Sequence, residues 1–528
     1  MQSPENNPKP LILISSTGEK HQSISKFLIR RFRKLGAHME IDLDDETLFG
    51  NDAAEDEATD VFNAYFMPRS EVNDFMDGDM QFRFLRAYRG EGKSAIIRHV
   101  SHENQLVGIW CAKVTGSAIS PGINSSDPNV WNREWQRSIL NALAAEIGRN
   151  IGFAWSDDGM SLVEEAERSG YKQRSFVSSI LSRLKIEGIP EMKEPTSSAH
   201  VPRIQRYLEG KDPIWLFVDD IDEDFQNTDQ FRQRVSAFFS ACRHLVNAIP
   251  QLVIRTSIRP NVWRILRAHS ESLSKVDQYA IDLNWNEKTI RGIIAKRIEG
   301  YLQRNDRSEI ISRFANQKGR VWEESLCDLA FENPMEWGFN RQTKKPKHRH
   351  PSTVLATLSR SRPRWLIELC RLSTKKRRDK KNVVCLTDIT GVLNEFGRER
   401  VEDLAAEYRS ECPQVQEIIN AFADTSEDFS TDQLIRTIKD RVLNGLSVKL
   451  ASVGTVTKPM QVAGFLYEIG FLTAREDHED GQYSHYSFAE QPELLHNRTN
   501  VDRGLSWEIH PVFRQTLRVR TSSGRLRR

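Results

Sequence analysis

The sequence predicts an α/β fold: a parallel sheet with helices on both faces, then a helical region and a smaller C-terminal α+β unit. Three observations carry this. Short apolar runs alternate with amphipathic helical stretches between residues 82 and 260. From about residue 286 helical periodicity replaces that alternation. From about residue 411 short helices give way to strand-like segments, "GQYSHYSF" and "LSWEIHP". No internal repeat is present.

Bulk properties bound the answer. A chain of 528 residues exceeds one hydrophobic core, so several domains are expected. The formal net charge of +2 predicts no uniformly basic nucleic-acid binder, which leaves any such contact to local patches. No stretch is apolar enough to span a bilayer, and "MQSPENNPKP" lacks the basic-then-apolar pattern of a secretory signal. Six scattered cysteines with no C-x-x-C fit a reducing, cytoplasmic setting and give no zinc site.

In chain order, "PLILISS", "HQSISKFLIRRFRKLG" and "AHMEIDLDD" read as a strand-helix-strand extension over residues 1–48. "LFGNDAAEDEATDVFNAYF" reads as an acidic turn leading into a helix. A core is expected over 49–285. Its strands are Phe82 to Tyr88, "LVGIWCAKV" (106–114), "PIWLFVDD" (213–220) and "QLVIRTSIRP" (251–260). The helical region spans 286–410 and carries two basic loops, "RQTKKPKHRH" (341–350) and "STKKRRDKKN" (373–382). The last unit spans 411–528 and ends in a basic tail.

The first chemical signal is Ala87-Tyr-Arg-Gly-Glu-Gly-Lys-Ser94, between a strand and a helix. It follows G-x-x-x-x-G-K-[ST] except that alanine stands at the first glycine. Such a loop needs glycines for close approach of backbone N–H groups to phosphates, and a helix N-terminus for partial positive charge. It needs a lysine for the β and γ phosphates and a hydroxyl for Mg²⁺. Gly90, Gly92, Lys93 and Ser94 supply these. The methyl of Ala87 is tolerated if that residue stays extended, and Glu91 is expected to point outward. A plain strand-turn-helix with a surface lysine is the structural alternative.

The second signal is Trp215-Leu-Phe-Val-Asp219-Asp220. A buried strand ending in carboxylates puts them at the sheet edge where ligands bind in α/β folds. Asp219 would hold Mg²⁺ with Ser94, and Asp220 would orient or deprotonate the attacking water. An Asp-rich turn is the alternative for this segment alone. The two patterns together, in order, make nucleotide binding the better reading. The strand "QLVIRTSIRP" adds Thr256 or Ser257 as a polar sensor of the γ-phosphate and Arg259 as a cation for transition-state charge. With no N-K-x-D guanine signature, the expected nucleotide is ATP.

These residues resemble the AAA+-like and STAND-type P-loop ATPases of bacteria, including KAP-related ones found in phage-defence loci, over roughly residues 48 to 515. The resemblance maps Arg89, Gly90, Glu91, Gly92, Lys93, Ser94 and Ala95 onto the nucleotide-contacting loop of a P-loop NTPase core. "WLFVDDID" looks like the family's Mg²⁺ strand. "AIDLNWNEKTIRGIIAKRI" (280–298) looks like the passage into a helical lid. "SRSRPRWLIELC" (359–370) looks like the lid helix with a sensor arginine, Arg362 or Arg364. Ala87 and Glu91 depart from the pattern.

"MQVAGFLYEIGFLTARE" resembles a winged-helix recognition helix running into its first wing strand. Such a helix can enter the major groove, and many instead dock on protein. Met460, Val462, Phe465, Leu466 and Ile469 are core-like on this helix. Three basic runs could touch polyanions or simply be solvated. They are Arg341, Lys344, Lys345, Lys347 and Arg349; Lys375, Lys376, Arg377, Arg378, Lys380 and Lys381; and Arg518, Arg520, Arg525, Arg527 and Arg528. The N-terminal extension faintly resembles the start of a TIR domain but is too short for one. It is expected to pack beside the ATPase sheet.

The expected function is an ATP-binding, ATP-hydrolysing switch that uses Mg²⁺. The resemblance implies a bacterial anti-phage setting with a separate effector protein and a homo-oligomer. An initiator-like DNA-binding ATPase is the first alternative, and a non-hydrolysing scaffold the second.

Overall fold

The computed structural model describes residues 41–151, 201–202, 204–205, 208–210, 212–315, 321–339, 345–377, 382–478, 482–495 and 504–521. The extension expected over residues 1–48 lies outside these as far as residue 40. So do Arg341, Lys344, Arg378, Lys380, Lys381, Arg525, Arg527 and Arg528 of the basic runs.

Helices α1 (Thr59–Tyr65) and α2 (Ser70–Met76) lead into β1 (Phe82–Arg86) and α3 (Lys93–Leu106). Then come β2 (Trp110–Thr115), α4 (Pro128–Ile151), β3 (Ile214–Asp219), α5 (Asp229–Ala248), β4 (Leu252–Ile258), α6 (Pro260–His269) and β5 (Ala280–Asp282). The five strands form one parallel sheet in the order β2-β3-β4-β1-β5. Every residue of β4 is buried, as a strand covered on both faces requires. On one face Phe84 and Leu216 meet Trp135, Phe238 and Phe239 of α4 and α5. On the other, Leu85 and Trp215 meet Phe75, Ile96 and Val100 of α2 and α3. The fold class is therefore α/β, with helices flanking a parallel sheet.

Local chemistry sets the helix starts. Thr228 caps α5 by accepting the Phe231 N–H at 3.4 Å. Pro260 occupies the first turn of α6, where its missing N–H costs nothing. One expected boundary moves. Residues 106–109 are not strand, because α3 runs to Leu106 and the chain reverses at Gly108 (φ +83°) before β2 begins. The Ile109 N–H then bonds back to the Asn104 carbonyl at 2.9 Å.

Beyond the sheet lie α7 (Glu287–Arg304), α8 (Ser308–Ala315), α9 (Trp322–Ala330), the hairpin β6 (Met335–Phe339) and β7 (Pro346–Arg349), α10 (Pro351–Leu358), α11 (Pro363–Lys375) and α12 (Leu386–Tyr408). Two expected basic loops are thus partly ordered elements. Pro346–Arg349 pairs as a strand with Met335–Phe339, and Ser373 to Lys375 close α11. Residues 41–45, expected as strand, form a turn. Ile41 and Leu43 pack with the helical region, not beside the sheet, in one cluster with Ile290, Ile294 and Leu366.

The chain ends with α13 (Val415–Asn420), β8 (Asp428–Phe429), α14 (Thr431–Ile438), the short pair β9 (Lys449–Leu450) and β10 (Gly454–Thr455), α15 (Pro459–Glu468), β11 (Leu472–Asp477), β12 (Tyr483–Tyr486), β13 (Ser506–Ile509) and α16 (Pro511–Arg514). Four of these strands form an antiparallel sheet in the order β12-β11-β13-β8. Its apolar core is continuous with that of the helical region. No residue of α15 is exposed. Among the described residues no helix is long and apolar enough to cross a membrane.

Candidate functional site

The strand order decides the site. β4 lies between β1 and β3, so the C-terminal ends of the three strands lie together at one edge of the sheet. The Ala87 N–H extends the ladder beyond β1, donating to the Ile258 carbonyl at 3.2 Å, and the residue is buried. An extended backbone needs no glycine, which explains the alanine. The loop then takes left-handed conformations at Gly90 (φ +79°) and Gly92 (φ +93°). Gly92 caps α3, whose first turn holds Lys93, Ser94 and Ala95 facing a cavity. Lys93 is buried, and its Nζ donates to the Ala87 carbonyl at 3.0 Å.

Glu91 does not point outward. Its carboxylate folds back and accepts the Tyr88 N–H at 2.6 Å, closing the loop on itself. Burial raises its pKa, opposed chiefly by the nearby Arg362 guanidinium. The loop is also held from outside: the Trp285 indole N–H donates to the Glu91 carbonyl at 2.9 Å.

At the end of β3 the two acids part. Asp219 accepts the Ser257 hydroxyl at 2.5 Å and the Asp220 N–H at 3.0 Å. Asp220 sits at φ +52°, which turns its side chain into the cavity wall. Its carboxyl is pushed up to about 6, first by burial and then by Asp219. Arg259 reaches the same wall, where buried Asp222 accepts its backbone N–H at 3.0 Å and its Nε–H at 2.7 Å. Thr256 is fully buried, with no partner for its hydroxyl among the described residues. Ser257 is also buried and serves Asp219, so neither sensor candidate lines the cavity.

The turn between α10 and α11 and the first turn of α11 carry three alternating arginines. Arg360 (φ +52°) and Ser361 (φ +53°) are both left-handed, a costly conformation for residues with a side chain. Arg364 lines the cavity, and its backbone N–H donates to the Gly90 carbonyl at 3.1 Å. A Cβ on Gly90 would come within 3.1 Å of the Arg364 Cβ, so the loop and α11 touch closely. Arg362 is buried, pairs with Glu407 of α12 at 2.7 Å, and lies 5.4 Å from the Tyr88 ring centroid. Arg360 is half-buried against Gly470, which lies between α15 and β11, where a Cβ would strike its guanidinium. Burial and Arg362 lower its pKa to about 10.

The cavity measures about 420 Å³. Beside the polar groups above, it is lined by Phe62, Tyr65, Phe66, Met67, Trp285 and Ile293. None of these, nor Arg69, Asp222 or Arg297, was singled out as a site residue, although Asp222 lies in "WLFVDDID" and Trp285, Ile293 and Arg297 lie in "AIDLNWNEKTIRGIIAKRI". Only the apolar spacing of "DVFNAYF" hinted at a packed face. The exposed Arg89 also lines the cavity. The donor set fits a nucleotide with Mg²⁺: two left-handed glycines, a helix N-terminus, a lysine, a serine hydroxyl and a carboxylate at one edge. Among the described residues no three His, Cys, Asp or Glu side chains gather to hold a metal alone. Magnesium would therefore depend on phosphate oxygens, as it commonly does.

No protein-family model matches the chain, and no curated protein matches it.

Proposed function

We propose that this chain is an ATP-binding, ATP-hydrolysing molecular switch built on a P-loop core, a helical lid and a winged-helix unit. The observation that carries the reading is the convergence of the Gly90–Ser94 loop with the end of β3 at one sheet edge, where Asp220 lines an apolar-walled cavity and Asp219, bonded to Ser257, lies next to it outside the lining. Lys93, now bonded to the Ala87 carbonyl, would turn to the β and γ phosphates. Ser94 and Asp219 would hold Mg²⁺. Asp220, with its pKa raised to about 6, would be ionised at neutral pH and accept a proton as the water attacks. Arg259 and Arg364 would meet developing negative charge, Arg259 by exchanging Asp222 for phosphate oxygen.

The arginine turn supports the switch. Residues 360–364 contact the phosphate loop, α12 and the C-terminal unit in succession, so a shift at Gly90 has a short route to Gly470. The C-terminal unit also docks on the core directly. Arg264 of α6 pairs with Glu411 at 3.2 Å and with Glu468 at the end of α15. Helix α15 has no exposed residue, which favours a protein-docking winged helix over the initiator-like reading that has it in DNA. The bacterial defence setting, with an effector partner and self-association, belongs to the same proposal.

The test is Mg²⁺-dependent ATP turnover by the chain and by Lys93→Ala, with and without duplex and single-stranded DNA. Turnover lost in the variant supports the reading. DNA stimulation with steep salt dependence would favour the initiator. Equal behaviour of both proteins would leave the scaffold.

A further inference from the structure

Arg69 belongs to none of the motifs, yet it lines the cavity with only 9% of its surface exposed. Its guanidinium lies 4.0 Å over the Trp285 ring. One terminal nitrogen, Nη2, donates to the Asn284 carbonyl at 2.7 Å and to the Glu71 carboxylate. The other, Nη1, is enclosed by protein and has no partner among the described residues. A buried guanidinium N–H without an acceptor is unfavourable, and such groups are commonly completed by a ligand or water.

The surroundings point to what completes it. Phe66 and Met67 precede Arg69, and Val72 follows it on α2; all three line the cavity. Met67 presses on α7 so closely that a Cβ on Gly292 would lie 2.8 Å from its sulfur. The result is an apolar wall with one unspent donor beside it. An apolar wall holds any flat ring and does not distinguish one base from another. A donor distinguishes ring positions, because it needs a lone pair opposite. The phosphate end has its own cations, Lys93, Arg259 and Arg364, and needs no help from Arg69.

We propose that Arg69 reads the nucleobase: on binding, its guanidinium turns out of its enclosed position so that Nη1–H donates to one ring nitrogen of the purine. This rests on the ATP site proposed above. Trp285 links the reading to the phosphates, since it stacks on Arg69 and donates to the Glu91 carbonyl of the phosphate loop.

The test is equilibrium binding, with Mg²⁺, of ATP and of 1-deaza-, 3-deaza- and 7-deaza-ATP to the full chain and to Arg69→Met. Each analogue lacks one ring acceptor. The native chain is expected to bind one analogue about tenfold more weakly than ATP and the others as well as ATP. Arg69→Met is expected to bind all four alike, at the weakened level. Mg²⁺-tripolyphosphate, which has no base, reports whether the variant's phosphate loop is intact, and Arg69→Lys replaces Arg69→Met if it is not. The proposal is overturned if the native chain treats all analogues as ATP, or if the variant keeps the discrimination. If the native chain binds neither ATP nor tripolyphosphate, the nucleotide reading itself falls, a result distinct from binding without discrimination.

Discussion

Arg362 Nη1 donates to Glu407 Oε2 at 2.7 Å, and both side chains are buried next to Tyr88 of the glycine loop. The pair joins the start of α11 to the end of α12. Tyr88 and Glu91 of the loop lie close enough for Glu407 and Arg362 respectively to shift their titration. The ion pair therefore sits where the Gly90–Ser94 loop, the helical region and the C-terminal unit meet.

Breaking this pair from one side strands a buried charge. Glu407→Gln is expected to destabilise the chain by roughly 3–5 kcal/mol. Replacing both partners by apolar residues, as in Arg362→Met with Glu407→Leu, should recover most of that. Denaturant unfolding of the native chain and both variants measures it, and a single variant as stable as the native chain would contradict the buried pairing.

Asp220 predicts opposite pH trends for activity and stability. Its folded pKa of about 6 lies above the ordinary aspartate value of 3.8, so ionisation opposes folding. The associated stability is full below pH 3.8 and is lost as pH rises through 6. Asp220→Asn should accordingly be more stable than the native chain at pH 8, by about 1–2 kcal/mol after solvent screening, and no more stable near pH 3. Turnover should rise through pH 6 in the native chain and be absent in the variant, with ATP binding retained. Thermal melts and pH–rate profiles supply both readings.

Arg255 is a structural cation in the middle of β4. Its side chain donates to the carbonyls of Phe75, Asp77, Gln81 and Ile254, at 2.7, 2.6, 3.2 and 3.1 Å. It also lies 4.6 Å from the Trp215 ring centroid. Arg255→Leu removes every donor at once and leaves the end of α2 with buried carbonyls. A loss of about 3 kcal/mol or more is expected. Arg255→Lys should rescue little, because an ammonium cannot span that fork. Unfolding midpoints at constant m-value would decide.

Arg264 ties the C-terminal unit to the core through Glu411 and Glu468. Arg264→Ala leaves two neighbouring carboxylates facing each other, and burial with Glu468 already holds Glu411 up at about 7. Limited proteolysis should cut the variant faster in the C-terminal unit than the native chain. The difference should widen from pH 6 to pH 8 as Glu411 ionises, and Glu411→Gln should narrow it. Identical digestion patterns at both pH values would count against a docking contact.

The sequence alone was enough for the parallel sheet, the glycine loop between β1 and α3 and the acids at the end of β3, because each is written in neighbouring residues. A buried strand needs a run of apolar side chains, and a left-handed loop needs glycine at Gly90 and Gly92. Both patterns survive reading without partners. Boundaries were less legible: "LVGIWCAKV" is apolar enough for a strand, yet the turn at Gly108 belongs to the end of α3. Glu91 turned inward onto the Tyr88 N–H, a direction its own letter does not show, and the guanidinium that meets it, Arg362, comes from far along the chain. The roles of Arg69, Arg255, Arg360 and Arg362 were hidden for the same reason. A buried arginine and a solvated one are the same letter. What separates them is the set of carbonyls, rings and carboxylates that packing brings to the guanidinium, and only the tertiary structure assembles that set.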